Sequence, residues 1–134
     1  MRYPDWQERF WKELERATTR KWQWGVHDCV SFGTRMADVI SDSDYAALKA
    51  GTNWYDSKDV AKLLHGTDLT TLISIVLGSP MDRRFVQHGD LMIATDSTGQ
   101  QVLTVHDGQQ LLAADLVGYK TVPVSAGRHG WRII

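Results

Sequence analysis

The sequence predicts an α+β protein, with helices in the first half and an antiparallel sheet in the second. Up to residue 77, apolar residues recur at helical spacing between capping residues and glycines. From residue 89 onward, apolar runs have strand length and are separated by turn dipeptides. No repeat, linker or low-complexity stretch interrupts the chain, so we expect one domain over residues 1–134.

The first helix is predicted over residues 4–18. Pro4 suits a first helical turn, where its missing N–H group is not needed. Glu8 and Lys12 are spaced as an i,i+4 ion pair. One face is apolar, with Trp6, Phe10, Leu14 and Ala17.

A second helix is predicted over Cys29–Ile40, with Asp28 as its N-cap because a carboxylate there accepts from the first-turn N–H groups. Its apolar face carries Phe32, Met36 and Ile40. Gly33 and Ala37 form a stripe of small residues beside that face, which allows another element to approach closely. We therefore expect this helix to lie at the centre of the fold.

Three short helices and several strands complete the prediction. Each short helix has a cap residue before it and a glycine after it; the three are Asp44–Ala50, Ser57–His65 and Leu69–Leu77. Pro80 ends the helical half. The predicted strands are G-D-L-M-I-A-T, Q-V-L-T-V-H, Q-Q-L-L-A-A, T-V-P-V and W-R-I-I, with turns at D-S-T-G and Asp107-Gly108. We expect the sheet to pack against the helix that begins at Cys29.

Composition excludes several classes of function. The formal net charge is −1 without long runs of one sign, which argues against a nucleic-acid partner. No stretch approaches the roughly 20 apolar residues that span a bilayer, and the N-terminal residues lack the apolar core of a signal peptide. A single cysteine cannot form an internal disulfide. We therefore expect synthesis in a cytoplasm and no membrane insertion. The six tryptophans fill the core or, alternatively, line an interface.

Cys29 is either a nucleophile or a small buried apolar residue. At a helix N-terminus, free N–H groups and the helix dipole favour the thiolate and can form an oxyanion hole. Nucleophilic chemistry also needs a histidine as base and a group that orients it. The sequence therefore gives Cys29 a candidate catalytic role that depends on a partner elsewhere in the chain.

His106, at the end of a predicted strand, is the best-placed base among five histidines; its alternative role is that of a polar residue at a hairpin. The others have simpler explanations: His27 as a cap or packing residue, His65 at a helix end, His88 before a turn and His129 in a late loop. One cysteine and scattered histidines match no zinc-ligand spacing. We expect no metal and no cofactor.

Three strings carry a family resemblance: W-G-V-H-D-C-V-S-F from residue 24, H-G-D-L-M-I-A from residue 88, and the closing V-P-V…G-W-R-I. Together they resemble a small family encoded in bacteriophage tail gene clusters, which is related to the NlpC-type cell-wall cysteine peptidases. The resemblance covers nearly the whole chain and implies a papain-like, NlpC-like fold. Asp28-Cys29 would open the central helix, and Gly89-Asp90 would begin the first strand of the sheet.

The same resemblance implies an incomplete catalytic constellation. In NlpC-type enzymes the catalytic histidine begins the second of these strands, and alignment on Gly108 puts that position near Gln100 or Gln101. The usual third polar residue falls near Ala113. The resemblance thus implies that the thiol is kept while the base and the orienting residue are lost. His106 lies several positions further along the strand.

Two functions follow from the resemblance. The first is a structural or assembly protein of the phage tail tip (baseplate), made in the bacterial cytoplasm, carried in the virion and docked to other tail-tip proteins through its tryptophan-rich N-terminal region. The alternative is a cysteine peptidase or amidase that cuts peptidoglycan peptides as the phage genome enters the cell, with Cys29 as nucleophile and His106 as base. A plain intracellular binding module is a third possibility, indicated only by the tryptophans.

Overall fold

The computed structural model describes residues 1–45 and 68–134. Within these ranges, three helices precede a six-stranded antiparallel sheet, as the α+β prediction requires. The helices are α1 (Trp6–Ala17), α2 (Cys29–Ile40) and α3 (Leu69–Leu77). The strands are β1 (Met81–Asp82), β2 (Leu91–Thr95), β3 (Gln101–His106), β4 (Leu111–Ala114), β5 (Tyr119–Val122) and β6 (Gly127–Trp131), in the spatial order β1-β6-β2-β3-β4-β5.

The predicted helices α1, α2 and α3 are confirmed where the structure describes the chain. Both α2 and α3 have the expected acidic N-caps: Asp28 accepts from the N–H of Ser31, and Asp68 accepts from that of Thr71, each at 2.8 Å. The first helix begins later than predicted, at Trp6, and Pro4 precedes it. Two of the predicted short helices lie outside the described residues: Ser57–His65 entirely, and Asp44–Ala50 except for Asp44 and Tyr45. Trp54 also lies outside them.

Helix α2 packs directly on the sheet, as its stripe of small residues predicts. A Cβ placed on Gly33 would lie only 2.9 Å from Cδ2 of Leu103 in β3, so glycine allows the close approach. Alternate residues of the sheet share the main core with α2 and α1; among them are Leu91, Ile93, Leu103, Val105, Leu112 and Ala114. The opposite face carries a smaller apolar cluster that includes Met92, Ala94, Leu111 and Ala113.

The final strands differ from the prediction at their boundaries. Strand β5 ends at Val122 because Pro123 has no N–H for the ladder. The prediction of a strand at W-R-I-I is wrong for most of its length, since β6 ends at Trp131. His129 accordingly lies in β6 and not in a loop. The two-residue strand β1 is too short to show a sequence pattern and was not predicted.

The buried carboxylate of Asp90 explains why the last residues leave the ladder. Its Oδ1 accepts from Arg2 Nη2 at 2.8 Å and from the N–H of Ile133 at 3.1 Å. Its Oδ2 accepts from Arg132 Nε at 3.0 Å and from the N–H of Gln87 at 2.9 Å. The Asp90 side chain is fully buried. It therefore fastens both ends of the described chain to the start of β2.

Candidate functional site

Cys29 lies at the edge of a cavity of about 250 Å³ between the N-terminal end of α2 and the start of β3. The rings of Trp22 and Trp24, which meet edge to face at 5.2 Å, form one side of this cavity. Gln100 and Gln101 also line it. The structure thus brings the thiol together with the two positions at which the resemblance expects a histidine.

The environment of Cys29 opposes ionisation of the thiol. Part of the residue's surface reaches the cavity, but the thiol itself is closely surrounded, and this burial raises the pKa of Cys29 to about 12. Main-chain groups of Leu103 and Val30 act in the opposite direction, whereas the negative charge of Asp28 raises the pKa further. The helix N-terminus was expected to lower this pKa; desolvation is the larger effect here.

Gln101 has a structural partner within the cavity wall. Its Oε1 accepts from the N–H of Leu69, the first residue of α3, at 3.0 Å. This N–H group has no partner within its own helix, because the first turn of a helix leaves its donors free. At the position where the resemblance expects the catalytic base, Gln101 therefore joins β3 to the start of α3.

His106 is not brought to the thiol. It lies at the far end of β3 from Gln101, and the five residue steps between them span about 17 Å. Side chains alternate along the strand: Leu103 packs in the core shared with α2, and Val102 packs on the opposite face. His106 follows the alternation of Val102. Its Nδ1 accepts from the N–H of Gly108 at 2.9 Å, and burial lowers the pKa of His106.

The other described histidines contact groups that lie outside the Cys29 cavity. Nε2 of His27 is 2.7 Å from the carbonyl oxygen of Gly118, and the residue is buried, in agreement with the predicted packing role. Nε2 of His129 is 2.7 Å from Oγ1 of Thr70. His88 lies among aromatic rings beneath α1. Hence no histidine of residues 1–45 or 68–134 lines the cavity with Cys29; His65 is outside these ranges.

The position of the expected orienting residue is apolar on either face of β4. Ala113 belongs to the cluster on the far side of the sheet, while its neighbour Ala114 lines the Cys29 cavity. Neither side chain has an atom that can accept a hydrogen bond from the N–H of an imidazole. In the part of the chain that the structure describes, the cavity therefore holds a thiol with a raised pKa and no histidine that could serve as its base.

Two charged residues on the cavity wall were not predicted from the sequence. Asp96 follows β2, and Lys120 lies in β5, at the edge of the sheet. Both line the same cavity because β3 and β4 place the two segments at the same end of the sheet. A local sequence pattern cannot indicate that two residues so far apart in the chain line one cavity. No group of three or more metal-binding side chains occurs among the described residues, and no helix there is long and apolar enough to cross a membrane.

Residues 1–133 match the model of DUF6950, a domain of unknown function. The chain therefore belongs to this family. No curated protein matches the chain.

Proposed function

We propose that this chain is a structural or assembly protein of a phage tail tip, built on an NlpC-like scaffold whose catalytic site is degenerate. The observation that carries the proposal is the cavity at Cys29, in which the thiol has a raised pKa and Gln101 occupies the place of the expected base. The family resemblance of the motifs around Cys29 and Asp90 supplies the phage-tail context.

The chemistry of thiol catalysis supports this reading of the cavity. A cysteine nucleophile reacts as the thiolate, and enzymes lower its pKa through a neighbouring imidazolium or another positive charge. Cys29 instead has the carboxylate of Asp28 beside it. Asp28 is itself fixed by the N–H groups of Ser31 and Gly25, which gives it a clear structural role at the start of α2.

Contacts that do not involve the thiol also support a scaffold role. Gly33 permits tight packing of α2 on β3, and Asp90 holds the chain ends, so these restraints on the fold do not depend on the reactivity of the thiol. A tail component needs a stable body and exposed surface for its neighbours. Trp11 on α1, which is 50% exposed, is one large aromatic residue that such a neighbour would cover.

The test is complementation of a phage that lacks this gene. We expect such a phage to yield few complete tails, and we expect wild-type protein and Cys29→Ala to restore assembly equally. Alanine keeps the Cβ of Cys29 and removes only the sulfur. Normal virions without the protein, combined with no affinity for purified tail-tip proteins, would overturn the proposal.

The same variant separates this function from the peptidase alternative. Wild-type protein and Cys29→Ala are incubated with peptidoglycan, and released muropeptides are measured. We expect no release from either protein. Release by the wild type that is lost in Cys29→Ala would show that the thiol is catalytic and would contradict a degenerate site.

A further inference from the structure

A second cavity, of about 400 Å³, opens near the C-terminal end of β3, away from Cys29. Its walls come from α1, from the segment before β2 and from the β3–β4 turn. The residues that line it are Trp11, His88, Asp107, Gly108 and Gln109. We call it the α1 cleft. The family resemblance assigns the cleft no role, and the proposed function uses only the exposed ring of Trp11 at its rim.

One wall of the α1 cleft is an exposed indole. Trp11 is 50% exposed, whereas the adjacent Phe10 is fully buried. The Trp11 ring lies 5.7 Å from the imidazole of His88, centroid to centroid. Indole has the most electron-rich face of the protein aromatic rings and attracts cations within about 6 Å of its centroid. The exposed ring therefore favours a positively charged group in the cleft.

His88 contributes a neutral imidazole. Burial lowers the pKa of His88, and the positive charge of Arg2 lowers it further, while Asp107 acts in the opposite direction. Its Nε2 is buried without a hydrogen-bond partner in the described structure. The rings of Trp6 and Phe10 surround the imidazole at centroid distances of 4.8 and 4.7 Å.

The two ring nitrogens of His88 differ in their surroundings: Nε2 is buried without a partner, and Nδ1 lies next to Gly108 of the β3–β4 turn. A proton on Nε2 leaves the lone pair on Nδ1. That atom faces Gly108, where an added Cβ would lie 3.7 Å away, and the missing side chain keeps this edge of the ring uncovered. Nδ1 can therefore accept a hydrogen bond from a ligand in the cleft.

Asp107 supplies a fixed negative charge. Its Oδ1 accepts from the N–H groups of Gln109 and Gln110, both at 2.8 Å, so the carboxylate is held by the turn. It forms no ion pair within residues 1–45 and 68–134. The nearby guanidinium of Arg2 is already paired with the buried Asp90 at 2.8 Å.

We propose that the α1 cleft binds a primary ammonium or guanidinium group of the kind carried by lysine and arginine side chains. The cation packs on the face of Trp11, donates to the carboxylate of Asp107 and donates to Nδ1 of His88. An anion would meet a carboxylate and an acceptor nitrogen there. An uncharged alkyl group would leave both acceptors without a donor, which disfavours it.

The test is NMR titration of the ¹⁵N-labelled protein with capped peptides that contain one lysine, one arginine or, as the uncharged control, one norleucine. The Trp11 indole resonance is assigned by its loss in Trp11→Phe. We expect saturable shifts of this resonance and of the Gly108 amide with the lysine or arginine peptide. Absence of shifts with both cationic peptides, or equal shifts with norleucine, would overturn the proposal.

Asp107→Asn provides the specific variant. Asparagine keeps the side-chain oxygen that accepts from the turn N–H groups and removes the charge, so the turn is preserved. We expect binding of the cationic peptide to weaken about fivefold, as for loss of a partly exposed charge contact. The matched control is Asp115→Asn in the β4–β5 turn, where the carboxylate accepts from the N–H of Leu116. Equal affinities in Asp107→Asn and wild type would overturn the proposal.

Discussion

Replacement of Asp90 by asparagine tests a buried long-range restraint in the described fold. The carboxylate is fully buried and accepts two donors on each oxygen. An asparagine amide retains one acceptor oxygen, so either Arg2 and Ile133 or Gln87 and Arg132 lose their acceptor. Each buried donor without an acceptor costs about 1–3 kcal/mol. Removal of one partner of a buried ion pair costs about 3–5 kcal/mol in all, and we expect a loss of that size.

The assay is urea unfolding followed by circular dichroism, with the free energy of unfolding extrapolated to water. In thermal unfolding, a loss of about 3–5 kcal/mol in the free energy of unfolding corresponds to a Tm that is lower by about 10–18 °C for a chain of this length. Asp82→Asn is the control, since the Asp82–Arg84 pair is exposed and such pairs contribute little. Equal free energies of unfolding for Asp90→Asn and Asp82→Asn would refute the role given to Asp90.

Three further variants test separate parts of the structure. Gly33→Ala should lower the free energy of unfolding by about 1–3 kcal/mol, because the added methyl group overpacks against Leu103. Helix propensity alone predicts a higher free energy of unfolding. An increase in this free energy, measured by urea unfolding, would refute the close packing. Gln101→Ala should cost about 1 kcal/mol, because the N–H of Leu69 loses its acceptor; unchanged urea stability would contradict this. The pKa of His88 is lowered in the folded state. As the pH falls below about 6.5, the unfolded chain therefore binds a proton at His88 before the folded protein does, and the free energy of unfolding should decrease. Urea midpoints measured at about pH 7 and about pH 5 should differ less in His88→Phe than in wild type. An equal difference in the two proteins would contradict the lowered pKa of His88.

Local patterns predicted those elements that local contacts define. Helix α3 begins after Asp68 and ends before Gly78, as predicted, because its N-cap hydrogen bond and its C-terminal glycine lie within a few residues of the helix. The same holds for the start of α2 at Asp28. The central position of α2 was also predictable, since Gly33 reveals a close approach without revealing which strand makes it.

Long-range contacts set the features that the sequence did not reveal. The apolar string W-R-I-I has strand composition, yet Asp90 holds Arg132 and Ile133 from more than 40 residues away. The raised pKa of Cys29 likewise depends on burial by segments that are distant in the chain, whereas the local sequence shows only a helix N-terminus. Secondary-structure propensity and helix capping act over a few residues. They therefore cannot indicate the end of β6 or the burial of Cys29.

No histidine of the described residues lines the Cys29 cavity, and Gln100 and Gln101 lie on its wall. That the catalytic base has been lost stays a prediction of the resemblance. The hydrogen bond from Leu69 to Gln101 was not predictable, because nothing in the strand indicates that its first side chain meets a helix end. The catalytic roles of Cys29 and His106 stay predictions of the alternative function until they are measured.

The pH dependence of Cys29 alkylation tests the central claim most directly. Cys29 is the only cysteine, so the rate of modification by iodoacetamide, followed by mass spectrometry, reports this thiol alone. With a thiol pKa raised to about 12, we expect slow modification that still increases well above pH 9 while the protein stays folded. A midpoint at or below about 8.5, the ordinary value for cysteine, would show an activated thiol and contradict the degenerate site.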